Sequence, residues 1–177
     1  ENYPIRYSKG CENNCPYCER SLENNKIYKS PKIFEKELCM ALKQYGAKAL
    51  TFIDSSLLGG NNNKFFEEIL PIIEKYQIPW RANGVTLVSL NESKVKKLAK
   101  SKCYLLSLGV EHIDSTVKTG KKIDYQKLEN ILKCLNDNNI FSLGFFIVGL
   151  ENDNYQKANN LINYLHNSQF NFILVGA

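Results

Sequence analysis

Six short apolar runs recur along the chain, each but the last followed by a helical pattern, and that alternation leaves few architectures open. The runs are YPIRYS (3–8), KALTFID (48–54), PWRANG (79–84), CYLLSLGVE (103–111), IFSLGFFIVG (140–149) and FNFILVG (170–176). They are mostly continuous apolar stretches, which suit strands covered on both faces. The first helix should start at Pro31 behind an N-cap at Ser30, turn Phe34, Leu38, Ala41, Leu42 and Tyr45 inward, and stop at Gly46. The second spans about Asn62 to Tyr76, with Phe65, Phe66, Ile69 and Ile73 inward and a kink or break expected at Pro71. A third covers Asn91 to about Lys100 and buries Val95, Leu98 and Ala99. A fourth follows Asp124 with Leu128, Ile131, Leu132 and Leu135 on one face, and a fifth carries Tyr155, Ala158, Leu161, Ile162 and Leu165.

The result is a strand followed by five helix–strand units of roughly 30 residues, the length of a right-handed crossover between parallel strands. The sheet should be parallel. An open doubly wound sheet and a closed or partly closed barrel both fit this order. In either, function gathers at the C-terminal ends of the strands, where the strand-to-helix loops lie.

With 177 residues, 44% of them hydrophobic, the chain can bury one sizeable core, and one domain is expected. No run approaches the roughly 18 apolar residues of a membrane span, and the N-terminus lacks the layout of a signal peptide. These features predict a cytoplasmic protein without a membrane partner. The net charge of +5 comes from lysines spread along the sequence, so a nucleic-acid partner is not expected; Lys96-Lys97 and Lys121-Lys122 read as solvated faces. The start at Glu1 and the end at Ala177, directly after an apolar run, predict a domain cut from a longer chain.

Three of the six cysteines, Cys11, Cys15 and Cys18, lie in the loop after the first strand with the spacing C-x3-C-x2-C. A structural zinc site wants two close pairs of ligands, and Cys39, Cys103 and Cys134 are scattered. A disulfide framework does not suit an odd cluster in a chain without a secretory signal. Three thiolates on one loop can hold three irons of a [4Fe-4S] cluster and leave the fourth open to a non-protein ligand.

The stretch CENNCPYC resembles the signature loop of radical S-adenosylmethionine (SAM) enzymes, C-x3-C-x-aromatic-C, with Tyr17 in the aromatic place. The resemblance covers nearly the whole chain and implies a partial (β/α)6 TIM-like barrel with parallel strands, residues 1–177 forming a core domain whose flanking domains are absent. It implies that Cys11, Cys15 and Cys18 bind the cluster and that SAM chelates the open iron. Reductive cleavage then gives a 5′-deoxyadenosyl radical that takes hydrogen from a substrate. Tyr17 would lie near the adenine. Asp54, Ser55 and Ser56 of FIDSS stand where many members have a Gly-Gly-Glu stretch that meets the SAM amino group. The RANG stretch is similar to the Asn-Gly that some members place near the ribose or carboxylate, which nominates Asn83 with Arg81 beside it. LGVEH resembles the Gly-Val-Glu of several branches and nominates Glu111 as a ribose or methionyl partner. FFIVGLEN matches the family's G-x-I-x-G-x-x-E at Ile147 and Gly149, and departs from it at Phe145 and Asn152.

Judged by GVEH, TGKK and FIVGLEN, the most similar branches include methylthiotransferase-like and cobalamin-dependent members, in which a second domain carries the cobalamin or recognises the substrate. The resemblance implies a small-molecule or peptide substrate and a reducing partner such as flavodoxin or ferredoxin. Two readings from other classes compete with it: an iron–sulfur electron carrier with four protein ligands, and a barrel that binds without turning over. No catalytic side chain is nominated. Cys39, Cys103 and Cys134 are expected to be small buried hydrophobes, Trp80 a core residue, His112 and His166 rim or helix-end histidines, and Gly59-Gly60 a loop.

Overall fold

The computed structural model describes residues 1–19, 25–58 and 63–177. Six strands, β1 (Asn2–Ile5), β4 (Ala49–Phe52), β5 (Trp80–Val85), β6 (Cys103–Glu111), β7 (Phe141–Ile147) and β8 (Phe172–Gly176), form one sheet in sequence order. Every neighbouring pair is parallel. The helices α1 (Pro31–Lys43), α2 (Leu70–Tyr76), α3 (Glu92–Lys100), α4 (Tyr125–Asp137) and α5 (Tyr155–Asn167) fill the connections between strands. A two-residue antiparallel ribbon, β2 (Ser8–Lys9) against β3 (Ile27–Tyr28), brackets the cysteine loop. The run at 3–8 is therefore divided: the sheet keeps residues only to Ile5, and Ser8 belongs to the ribbon.

The helix starts follow their capping residues. Ser30, Asn91, Asp124 and Asn154 each accept an N–H from three residues on, which satisfies a first-turn donor that the helix itself cannot. Pro71 splits its helix as expected: residues Phe65–Ile69 form a π-helical turn, and α2 begins beside the proline, whose missing N–H is no loss in a first turn. The expected start at Asn62 and the loop at Gly59-Gly60 lie outside the described residues.

Between sheet and helices sits an aromatic cluster. Phe52 meets Trp80 edge-on at 5.4 Å and Phe65 at 5.6 Å, and stacks on Phe34 at 5.9 Å. Each such pair adds about 0.5–1.5 kcal/mol to the burial of its rings. Trp80 is fully buried, and its indole N–H donates to the Ser101 carbonyl at 2.9 Å.

Three residues assigned inward are exposed instead: Tyr45, Tyr155 and Ile162. Tyr45 lies past the end of α1 and rests its ring on Tyr3. In α5 only Leu161 is buried, because β8 is an edge strand exposed along its length and offers no covered surface to receive a second row. Tyr164 of the same helix instead donates to Glu129 of α4 at 2.6 Å. Of the scattered cysteines only Cys103 is fully inside; Cys39 and Cys134 are half-buried. No helix among the described residues is long and apolar enough to cross a membrane.

Candidate functional site

Side chains alternate across a strand, so each strand sends every second residue to the concave face of the sheet. Thr51, Arg81, Asn83 and Ser107 share that face: the Arg81 Nε–H donates to Thr51 Oγ1 at 3.0 Å, and the Ser107 hydroxyl donates to Asn83 Oδ1 at 3.0 Å. Towards the C-terminal ends of the strands this face opens into a cavity of about 350 Å³. Cys11, Cys15, Tyr17 and Cys18 form one wall of it, and Ser55, Glu111 and Ile147 lie on others.

The cysteine loop is held at both ends. The Cys18 N–H donates to the Cys15 carbonyl at 3.0 Å, closing a turn around Pro16 and Tyr17. The Asn13 N–H reaches Cys11 Sγ at 3.4 Å. Cys15 is buried, and the other two thiols are half-buried. Among the described residues no three His, Cys, Asp or Glu side chains come together as tightly as one bound ion requires. Three thiols on one cavity wall are a donor set that an iron–sulfur cubane would accept at three of its irons. Burial, with Glu111 and the Cys15 thiol beside it, pushes the Tyr17 hydroxyl above its usual range.

Glu111 reaches the cavity through a backbone irregularity. The pairing of β6 with β7 slips between Gly109 and Glu111, a bulge that re-aims the strand end, and Glu111 holds φ at +70°. Its Oε1 accepts from Lys121 Nζ at 2.6 Å, and the same ammonium donates to the Gly109 carbonyl at 3.2 Å. A Cβ on Gly109 would lie 2.7 Å from both charged atoms, so any side chain there would make the ends of Glu111 and Lys121 shift. Lys121 lines the cavity and is not a solvated-face lysine, which corrects the reading of the Lys121-Lys122 pair. The loop that carries it also touches the cysteine loop. Gly120, at φ +71°, leaves room for Pro16 and Cys15, since a Cβ would stand 2.9 Å from Pro16 Cδ and 3.2 Å from Cys15 Cα.

Five nominated residues lie off the cavity wall, among them Arg81, which is engaged with Thr51. Asp54 is buried beneath the ribbon and accepts from the Tyr7 N–H at 3.2 Å, the Ser8 N–H, and the Ser8 hydroxyl at 2.7 Å. Burial pushes its carboxyl up against the opposing pull of those hydrogen bonds. Asp54 thus anchors the entry to the cysteine loop. Ser56 is buried, and its hydroxyl has no hydrogen-bond partner among the described residues. Asn83 is engaged with Ser107, outside the cavity lining. Gly149 sits just past β7 at φ +80°, where its N–H donates to Asp153 Oδ2 at 2.7 Å. Asp153, one residue beyond Asn152, therefore makes the contact that closes this turn. Its signal in the sequence was an acidic residue four after a glycine that ends an apolar run.

The family model described as the Radical SAM superfamily matches residues 5–165, and the chain belongs to that superfamily. The family uses a [4Fe-4S] cluster and SAM. Among curated proteins, the chain is 23% identical over 164 residues to an uncharacterized methyltransferase of Pyrococcus horikoshii, covering 90% of this chain and 36% of that one. It is 24% identical over 177 residues to bacteriochlorophyllide d C-12(1)-methyltransferase of Chlorobaculum tepidum, covering 96% and 38%. The chain thus spans little more than a third of the length of these relatives. Among solved structures, the radical SAM methyltransferase TsrM of Kitasatospora setae, with tryptophan substrate and a SAM analogue bound, superposes with a TM-score of 0.82 at 12% identity, covering 98% of this chain and 35% of that one. Methylornithine synthase gives 0.71 at 16%, covering 98% and 52%. The fold is the partial TIM-type barrel of these enzymes.

Proposed function

We propose that residues 1–177 are the catalytic core of a radical SAM enzyme, with Cys11, Cys15 and Cys18 as the cluster ligands and the adjoining cavity as the SAM site. The observation that carries this reading is the sharing of one cavity of about 350 Å³ by three thiols, Tyr17 and the Glu111–Lys121 pair. When bound, the cluster supplies the electron that cleaves SAM to methionine and a 5′-deoxyadenosyl radical for hydrogen abstraction. The protein's own part is to bind, orient and exclude water. Lys121 presents a cation to an entering carboxylate, and Glu111 presents an acceptor to an amine or a ribose hydroxyl. Tyr17, protonated throughout the physiological range, offers a ring face and a neutral hydroxyl. Ile147 supplies apolar surface beside them, and Ser55 a hydroxyl on the facing wall. Asp54, Ser56, Asn83 and Gly149 support the frame around these groups.

The methyltransferase names of both curated relatives favour methylation as the reaction, with a small-molecule or peptide substrate. TsrM has also been solved with cobalamin and a [4Fe-4S] cluster bound, which supports a cobalamin carried by a flanking domain here. The electron would come from a cytoplasmic flavodoxin or ferredoxin. The test is an electron paramagnetic resonance spectrum of the anaerobically reconstituted, dithionite-reduced protein, before and after adding SAM. A four-iron signal that shifts with SAM is expected. A signal indifferent to SAM would make the protein an electron carrier, and SAM binding without release of 5′-deoxyadenosine would make it a non-catalytic barrel.

A further inference from the structure

His112 follows Glu111 at the end of β6, and its side chain is fully buried although the strand has ended. Its Nδ1 accepts the Asp114 N–H at 2.9 Å, so the neutral ring carries its proton on Nε2. That nitrogen has no hydrogen-bond partner among the described residues and lies 3.6 Å from Oδ1 of Asp153. The Asp153 side chain is only 2% exposed. Its Oδ2 accepts the Gly149 N–H at 2.7 Å, and its Oδ1 accepts the Asn154 N–H at 2.8 Å. Burying a carboxylate is costly unless donors surround it; the two N–H donors to this one belong to the turn after β7, and the imidazole of the residue after Glu111 stands against it without a hydrogen bond to it.

The loops after β6 and β7 are also tied on the outside. The Lys118 N–H donates to the Glu151 carbonyl at 2.9 Å, and Lys157 Nζ donates to Thr116 Oγ1 at 2.7 Å and to the Asn152 carbonyl at 2.6 Å. Those side-chain ties are exposed and contribute little. The contact between His112 and Asp153 is out of solvent, and it joins the two strand ends that carry Glu111 and Gly149.

We infer that His112 and Asp153 form a positioning pair that fixes the Gly149 turn against Glu111 and so sets the shape of the cavity wall formed by β6 and β7. The inference rests on the reading of that cavity as the SAM site. Neither side chain lines the cavity. Both act through others: Asp153 through the Gly149 N–H, and His112 through Asp153 and through the backbone of the preceding residue, Glu111, whose φ is +70°.

The test uses the whole protein with its cluster reconstituted anaerobically, reading amide hydrogen exchange without SAM and SAM affinity by equilibrium dialysis. His112→Ala and Asp153→Ala should each speed exchange at Gly149 by about tenfold and weaken SAM binding by a similar factor, the first by leaving the buried carboxylate without its polar neighbour and the second by removing the acceptor of the Gly149 N–H. The double variant should lose no more than either single one, because the two residues act as a unit. His112→Gln, which keeps an N–H facing Asp153, should recover most of both losses, and iron content should stay constant throughout. If an alanine variant fails to fold, Asp153→Asn, which keeps the shape and removes one acceptor, carries the same comparison. Unchanged exchange at Gly149 in His112→Ala overturns the pair, as do losses that add in the double variant. If the wild-type protein does not bind SAM, the reading of the cavity falls, while exchange at Gly149 still decides the pair.

Discussion

Lys121 Nζ lies 2.6 Å from Glu111 Oε1 across the mouth of the bulge that ends β6, and both side chains are largely withdrawn from solvent. Removing one member of such a pair leaves the other charge poorly solvated, which costs several kcal/mol in a closed interior and about 1–2 kcal/mol where a cavity admits water. Lys121→Met should therefore lower the unfolding free energy by about that amount. It should weaken SAM binding by at least about tenfold, since an entering carboxylate loses its cation. Denaturant titration and equilibrium dialysis check the two halves separately. Unchanged affinity would remove Lys121 from the binding site.

Gly120 touches Pro16 and Cys15 with no space for a methyl group, and its φ of +71° disfavours any other residue. Gly120→Ala should push the cysteine loop outward. The expected result is a folded protein, destabilised by about 1–2 kcal/mol, that takes up less iron on reconstitution. Iron per chain after desalting, compared with the wild type, is the measurement.

Much of the fold was legible in the sequence because period and caps are local signals. Ser30, Asn91 and Asp124 mark helix starts by chemistry that needs only the next three residues, and Pro71 breaks its helix for a reason contained in its own ring. The cysteine loop was legible for the same reason, its three thiols being close in sequence. Lys121 was not, because nothing nearby distinguishes a lysine that turns towards Glu111, ten residues back, from one that turns to water. Asp54 stood at the right strand end for a cofactor contact, yet two backbone amides and a hydroxyl from Tyr7 and Ser8 claim its oxygens. The exposed rows of α5 fall to a third cause. Its periodic apolar pattern is real, but burial needs an opposing surface, and edge strand β8 offers none among the described residues.

Asp54 gives the fold a pH dependence. Burial raises its carboxyl above the ordinary value of 3.8, so between that value and the folded one the native protein holds a proton that the unfolded chain has released. Stability contributed by this group is therefore fully present below the unfolded value and falls as pH rises through the folded one. Asp54→Asn cannot ionise and should flatten that part of the stability profile. It should also lower stability at every pH, since an amide nitrogen cannot accept the N–H it would face. Urea titrations at a series of pH values from about 4 to 7 would show both effects. A parallel profile for the variant would assign the dependence to other groups.

Cys15 and Cys103 are both buried thiols, and they separate binding from packing. Burial with only a long contact to the Leu105 carbonyl drives the Cys103 thiol well above its usual range, so it stays protonated and behaves as a small apolar side chain. Cys15 is buried at the cavity wall beside two other thiols, where metal coordination would favour the thiolate. Cys103→Ser should then cost about 1–3 kcal/mol, the scale for burying a poorly satisfied hydroxyl, and leave iron content and the reduced-cluster spectrum unchanged. Cys15→Ser should leave thermal stability of the unloaded protein nearly as it was and abolish the four-iron signal. Iron retained by Cys15→Ser, or lost by Cys103→Ser, would move the cluster to a different set of thiols.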